Sequence, residues 1–178
     1  MKASPAAARF PPSRSPRSNR SVRTTALIGL TVALGLWVGA LVFVSFVVAP
    51  AVFGAVPSET AGSVMGAIFP RYYAFTIGVG IVAVLAALPL RGVARGSSWT
   101  AIVGMMVVML AATAYAGTVV SPRARALRPA LHQEPVDPAV RAEFDALHRR
   151  AVQLNGLVLL LGLGVMGVTA TAFRDRTD

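Results

Sequence analysis

His148, Asn155, Asp145 and Arg141 are the residues whose types and spacing come nearest to a site. Positions 141, 145, 148, 152 and 155 recur every three or four residues, so in a helix they share one face, with Gln153 nearby. An amide such as Asn155 inside an apolar run must find a hydrogen-bond partner or lose free energy. The plain reading is a polar clamp between helices. The sharper reading is a ligand-binding or proton-handling site at the outer mouth of a bundle. Catalysis has little support: His148 beside Asp145 has no second base, no nucleophile and no metal-ligand partner at fixed spacing. No catalytic residue is assigned, and the chain is expected not to be an enzyme.

Three other patterns invite chemistry and yield to packing. Gly162-Leu163-Gly164-Val165-Met166-Gly167 matches the dinucleotide fingerprint, but it lies inside an apolar run and the chain ends at Asp178. The fingerprint needs a preceding strand and an acidic residue about 20 positions later, so these glycines read as close helix packing. Met105, Met106 and Met109 offer soft thioether ligands, yet methionine also fills irregular gaps in any core, and that reading is preferred. The two histidines, His132 and His148, stand outside the apolar runs, which argues against a transmembrane bis-histidine haem site. With no cysteine there are no disulfides and no thiolate ligands. No cofactor and no metal site is implied.

The elements that must hold these residues follow from composition. Hydrophobic residues make up 55% of the 178 and charged residues 13%, too little charge for a water-soluble domain of this size. The net charge of +10 would by itself suit nucleic acid or anionic lipid. Placement decides for lipid, because most of the arginines flank apolar runs and form no basic stripe. Four charge-free runs, at about 25–49, 72–90, 98–120 and 151–173, have the length of a membrane span, which takes some 20 residues. Ser97 or Ser98 can cap the third.

Residues 1–23 hold four prolines, several arginines and no acid, and read as a disordered basic tail; a transit peptide and a signal peptide fit them less well. The transmembrane domain then occupies 24–178. Between the first two runs, Pro57-Ser58-Glu59-Thr60 begins a short helix expected to lie on the membrane surface, with Ala61, Val64, Met65 and Ile68 at helical spacing. Tyr72 and Tyr73 are expected at headgroup depth. Asp137 and Pro138 make a strong helix start, Asp145 and Arg149 an i,i+4 pair, and nothing breaks the helix before the fourth run. An extended fourth helix is therefore expected. Gly35 and Gly39 form a GxxxG pair, read first as packing within the bundle and second as a homodimer face. With both termini inside, ten Lys and Arg fall inside, two of them in the Arg91–Arg95 loop, and seven outside, so N-in and C-in is expected in a bacterial cytoplasmic membrane.

Two ordered stretches look alike to a known family. The first runs Trp37-Val38-Gly39, Phe43, Phe46 to Pro50, Phe53, Ala61-Gly62, Gly66 and Phe69-Pro70-Arg71-Tyr72-Tyr73. The second is Phe144-Asp145-Ala146-Leu147-His148 followed by Asn155. Together they resemble the domain shared by eukaryotic transmembrane protein 205 and bacterial membrane proteins of unknown function, over roughly residues 30 to 170. The resemblance implies a four-helix membrane fold and makes Trp37, Gly39, Pro50, Gly62, Pro70, Tyr72, Tyr73 and Phe144 its structural motif residues. It implies little chemistry, though an association of the eukaryotic member with drug resistance points towards transport. Where the family motif often has Ser three residues after the His, this chain has Ala151.

The expectation is thus an all-α membrane protein: a four-transmembrane-helix bundle with a short interfacial helix and an extended fourth helix. Its function is read as small-molecule binding or a transport-accessory role at His148, Asn155, Asp145 and Arg141. The alternatives are a copper- or haem-related membrane redox protein and a structural or assembly subunit of a membrane complex. Membrane lipid is the expected partner, with a homo-oligomer or another membrane protein beside it, and nucleic acid is not.

Overall fold

The computed structural model describes residues 16–90 and 98–174, with side-chain surroundings for 20–90 and 99–169. The Arg91–Arg95 loop, the Ser97 cap and residues 1–15 of the tail lie outside them. Every element is helical: α1 (Pro16–Phe43), a π turn (Val44–Val48), α2 (Ala49–Ala55), α3 (Ser58–Ala87) with a 3-10 turn at Leu88–Leu90, α4 (Ser98–Tyr115), a second π turn (Ala116–Val120), α5 (Ser121–Leu131) and α6 (Pro138–Arg174). Four continuous stretches are long and apolar enough to cross a membrane: Arg20–Ala55, Ser58–Leu90, Trp99–Leu131 and Pro138–Thr169.

The four pack as a ring in which α1 and α4 each touch both α3 and α6. Leu30, Leu34, Trp37 and Leu41 recur every three or four residues on the inner face of α1. They meet Ala83 and Ala87 of α3, Ile102, Met106 and Met109 of α4, and Val158 and Val165 of α6. The methionines are core, as their gap-filling chemistry predicts. Outward, Ile28, Val32, Leu36, Phe46, Leu85, Leu160 and Leu163 stand exposed. Leaving such a belt in water would cost about 25 cal/mol per Å² of apolar surface, and hydrocarbon removes that cost. The chain is a multi-pass helical membrane protein. Its buried hydroxyls are satisfied locally: Thr76, Thr113 and Thr169 donate to the carbonyls of Tyr72, Met109 and Val165 at 2.7–2.9 Å.

Both π turns have one cause. Pro50 and Pro122 lack an N–H, and their rings would strike the carbonyls of Phe46 and Thr118, four residues earlier. Widening the helix by one residue per turn at 44–48 and 116–120 relieves the clash without ending the helix. The same two-part plan therefore occurs twice: a long helix, a π turn, a proline-bearing extension, then a second long helix.

Several sequence expectations need correction. The first helix begins at Pro16, inside the stretch read as a disordered tail, and continues past Pro50 to Ala55. The surface helix is not separate: residues 58–70 run straight into the second span, because Ala61, Gly62 and Met65 are buried on the same helix as Tyr72 and Tyr73. Pro70 sits within that helix, as membrane helices tolerate when neighbouring packing holds them. The third span extends through α5 to Leu131. Gly35 and Gly39 do not pack within the bundle; a Cβ at either would meet nothing within 4 Å. Of the fingerprint glycines, Gly162 does allow close packing, since a Cβ there would lie 2.6 Å from Val38 Cγ2, but Gly164 and Gly167 face open space. Tyr72 and Tyr73 turn inward and are buried, with their rings edge to face at 5.0 Å.

The extended fourth helix is as expected. Asp137 Oδ1 accepts from the Ala139 N–H at 2.8 Å, and Pro138 follows as the first helical residue. At 37 residues α6 is about 55 Å long, well beyond the roughly 30 Å of a hydrocarbon core. Its charges, Arg141 to Arg150, crowd the first turns, so this part stands at or above the membrane surface.

Candidate functional site

The end of the bundle holding the 56–57 and 132–137 connections contains a cavity of about 110 Å³ between α3, α5 and α6. From α6 come Phe144, Leu147, His148, Ala151, Val152 and Asn155, one face of the helix at three- and four-residue spacing. From α3 come Gly66, Phe69 and Tyr73. The second π turn and α5 supply Val120, Ser121, Ala124, Arg125 and Arg128.

Three α6 residues singled out by sequence thus meet here: His148, Asn155 and Phe144. Asn155 of α6 and Tyr73 of α3 line the same cavity, their side chains close enough to interact electrostatically. The polar face read from the sequence as a clamp or a site thus supplies His148 and Asn155 to a cavity wall. Asp145 and Arg141 do not line the cavity. Asp145 is half-buried and Arg141 exposed, and Asp145 does not close on Arg149. Among the described residues Arg123 instead pairs with Glu143 at 2.7 Å, tying α5 to α6. His132 Nδ1 lies 2.8 Å from Glu59 Oε1, linking the end of α5 to the start of α3 and forming an ion pair when the imidazole is protonated.

Arg128 is the residue that sequence reading missed. Its half-buried guanidinium lies against α3 where Gly62 and Gly66 leave room: a Cβ at Gly62 would stand 2.5 Å from Nη1, and one at Gly66 3.7 Å from Cζ. On the other side Cζ lies 5.9 Å from the centre of the Phe144 ring, a cation–π distance. Two motif residues of the resemblance, Gly62 and Phe144, thereby form the two sides of one arginine slot. Arg125 repels Arg128 electrostatically, and no carboxylate among the described residues pairs with either. The signal was present in the sequence: Ser121, Arg125 and Arg128 fall at i, i+4 and i+7 of a helix, but the chain there reads as a loop unless the helix is known to continue past Pro122.

Gly117 positions the remaining wall. A Cβ there would come 2.6 Å from Tyr73 Cβ and 2.8 Å from Cγ, so only glycine lets the π turn press this closely against α3. The cavity lining combines apolar side chains with six polar ones, each able to donate a hydrogen bond: two guanidiniums, an imidazole, an amide, a phenol and a hydroxyl. Groups of three or more metal-ligating His, Asp or Glu side chains do not occur among the described residues.

A second hollow, an open groove of about 600 Å³, lies between α1, its π turn and α3. It is lined by Ala40, Phe43, Val44, Val48, Val64, Ala67, Ile68, Arg71, Tyr72 and Phe75. Apart from Arg71 and the Tyr72 phenol its walls are apolar. Arg71 is exposed, and one guanidinium nitrogen donates to the Ala67 carbonyl of its own helix at 3.0 Å.

Comparison with known proteins gives one family: its profile, described as a domain of unknown function (DUF4149), matches residues 32–133. That range covers the C-terminal part of α1 and all of α2 to α5, including Gly62, Tyr73 and Arg128, and stops before α6. No curated protein and no solved structure matches the chain.

Proposed function

The chain belongs to the DUF4149 family, and from that premise we propose that it binds a small molecule at the loop end of its bundle, as a binding or transport-accessory protein without covalent chemistry. The observation that carries this reading is the cavity itself. In an otherwise apolar bundle, six polar side chains from three helices converge on one hollow among apolar ones, the usual make-up of a ligand site. Ser121 and His148 both line it, but no hydrogen bond joins hydroxyl to imidazole, and binding is the reading adopted. The likeness to the transmembrane protein 205 domain supports the same reading, since Gly62, Tyr73, Phe144, His148 and Asn155 all serve this one hollow. With N-in topology the cavity opens to the outside of the cytoplasmic membrane.

The test is recovery of the bound compound. Protein purified from its native membranes in an uncharged detergent is extracted and its small molecules identified by mass spectrometry, beside the cavity-filling variant Ala151→Phe. The wild type is expected to retain a compound at near-stoichiometric level that the variant loses while still inserting in the membrane. Identical extracts from both would overturn the proposal.

A further inference from the structure

We infer that the ligand is an anionic amphiphile, its phosphate or carboxylate seated against Arg125 and Arg128 and its apolar part on the cavity's apolar side chains; this rests on the small-molecule reading above. Two guanidiniums repel each other in one cavity wall, and one of them is drawn half out of water with no carboxylate beside it among the described residues. A partly desolvated cation without a counter-charge favours an anionic neighbour, and Phe144 offers it only a cation–π contact. An anion entering the cavity supplies what is missing.

The other polar lining groups agree with that sign. Ser121, His148 and Asn155 can each donate a hydrogen bond, and no acidic side chain lines the cavity to oppose a negative charge. Beside these groups, Phe69, Ala151 and Val152 offer apolar surface that a bare inorganic ion would not use. The volume of about 110 Å³ fits a headgroup with a short stretch of chain, and the lipid-facing side of α6 lets a longer tail leave into hydrocarbon. The slot for Arg128 is built into the backbone: Gly62 admits the guanidinium, so its position does not wait on the ligand.

The experiment titrates dodecyl phosphate and dodecyltrimethylammonium into the full-length protein in dodecyl maltoside, reading thermal stability and tryptophan fluorescence. Dodecyl phosphate is expected to bind saturably and the cation not to compete. Arg128→Gln should weaken the phosphate at least tenfold, and Arg128→Lys should recover part of the loss. If Arg128→Gln does not fold, Arg125→Gln carries the same test. Equal binding of both amphiphiles, or affinity unchanged in both glutamine variants, would overturn the inference. Retention of phosphatidic acid over phosphatidylcholine in nanodiscs would support it and identify a lipid as the source; binding of dodecyl phosphate without that retention would support it and point to a free amphiphile. An uncharged compound recovered from wild type but not from Ala151→Phe would sink the anionic class and leave the small-molecule reading standing, whereas identical extracts would sink that reading itself.

Discussion

The two halves of the bundle share a plan and differ in polarity. Val47-Val48-Ala49-Pro50 closes the first π turn and Val119-Val120-Ser121-Pro122 the second. Along the second long helix of each half, Val64, Ala67, Ile68, Arg71, Tyr72 and Phe75 line the open groove. At the same spacing Phe144, Leu147, His148, Ala151, Val152 and Asn155 line the cavity. Ile68 thus stands where the other half has His148, and Phe75 where it has Asn155. After the proline the contrast repeats: counted from Pro50 and Pro122, Phe53 in α2 and Val56 just beyond it correspond to Arg125 and Arg128 in α5. One half presents an almost wholly apolar groove and the other a cavity with two arginines in its wall.

The difference teaches that the backbone plan does not make the site. Both halves carry a π turn before a proline and both leave a hollow beside it, the turn following from the proline's missing N–H and its ring. Only the half whose extension carries basic residues, and whose facing helix offers glycines at 62 and 66, converts the hollow into a polar cavity.

The largest expected effect comes from making the second half resemble the first. Replacing Arg125 with Phe and Arg128 with Val should lower dodecyl phosphate affinity about a hundredfold, since each charge-assisted hydrogen bond is worth about 1.5–3 kcal/mol and each 1.4 kcal/mol is tenfold. Titration by tryptophan fluorescence reads it, and undiminished affinity would show that the halves differ in residues but not in function. Next comes the π turn. Gly117→Val should destabilise the protein by about 1–3 kcal/mol, because the new atoms meet Tyr73 near its backbone and not at a flexible tip. The matching change in the first half, Ser45→Val, faces outward and should stay within about 0.5 kcal/mol. Thermal unfolding in detergent compares the two, and equal losses would mean the turns are packed alike. The smallest effect belongs to the tie between the halves: His132→Ala breaks an exposed pair with Glu59 and should cost less than about 1 kcal/mol, less still at high salt.

Much of the fold was legible in the residues. Charge-free runs of spanning length locate the four crossings, because no other solvent accepts them. Asp137 and Pro138 fix the start of α6, because capping is a local matter of one side chain and two N–H groups. Half of the site was legible too. His148 and Asn155 stand out as polar groups at helical spacing beside an apolar run, and their need for partners follows from the solvent alone.

Tertiary structure decided the rest. Prolines at 50, 70 and 122 read as helix ends, yet packing across the ring and the π turns carry the helices through them, which places Arg125 and Arg128 on a rod instead of in a loop. Nothing local says that Gly62 faces Arg128, that Gly117 admits Tyr73, or that Gly35 and Gly39 face outward. The sequence by itself determined the solvent, the number of crossings and which polar groups must be satisfied, since each depends on a residue and its near neighbours. Which groups satisfy one another, and that two arginines share a cavity wall without a carboxylate, depends on contacts between α3, α5 and α6, elements far apart in the chain, which only the packed bundle brings together.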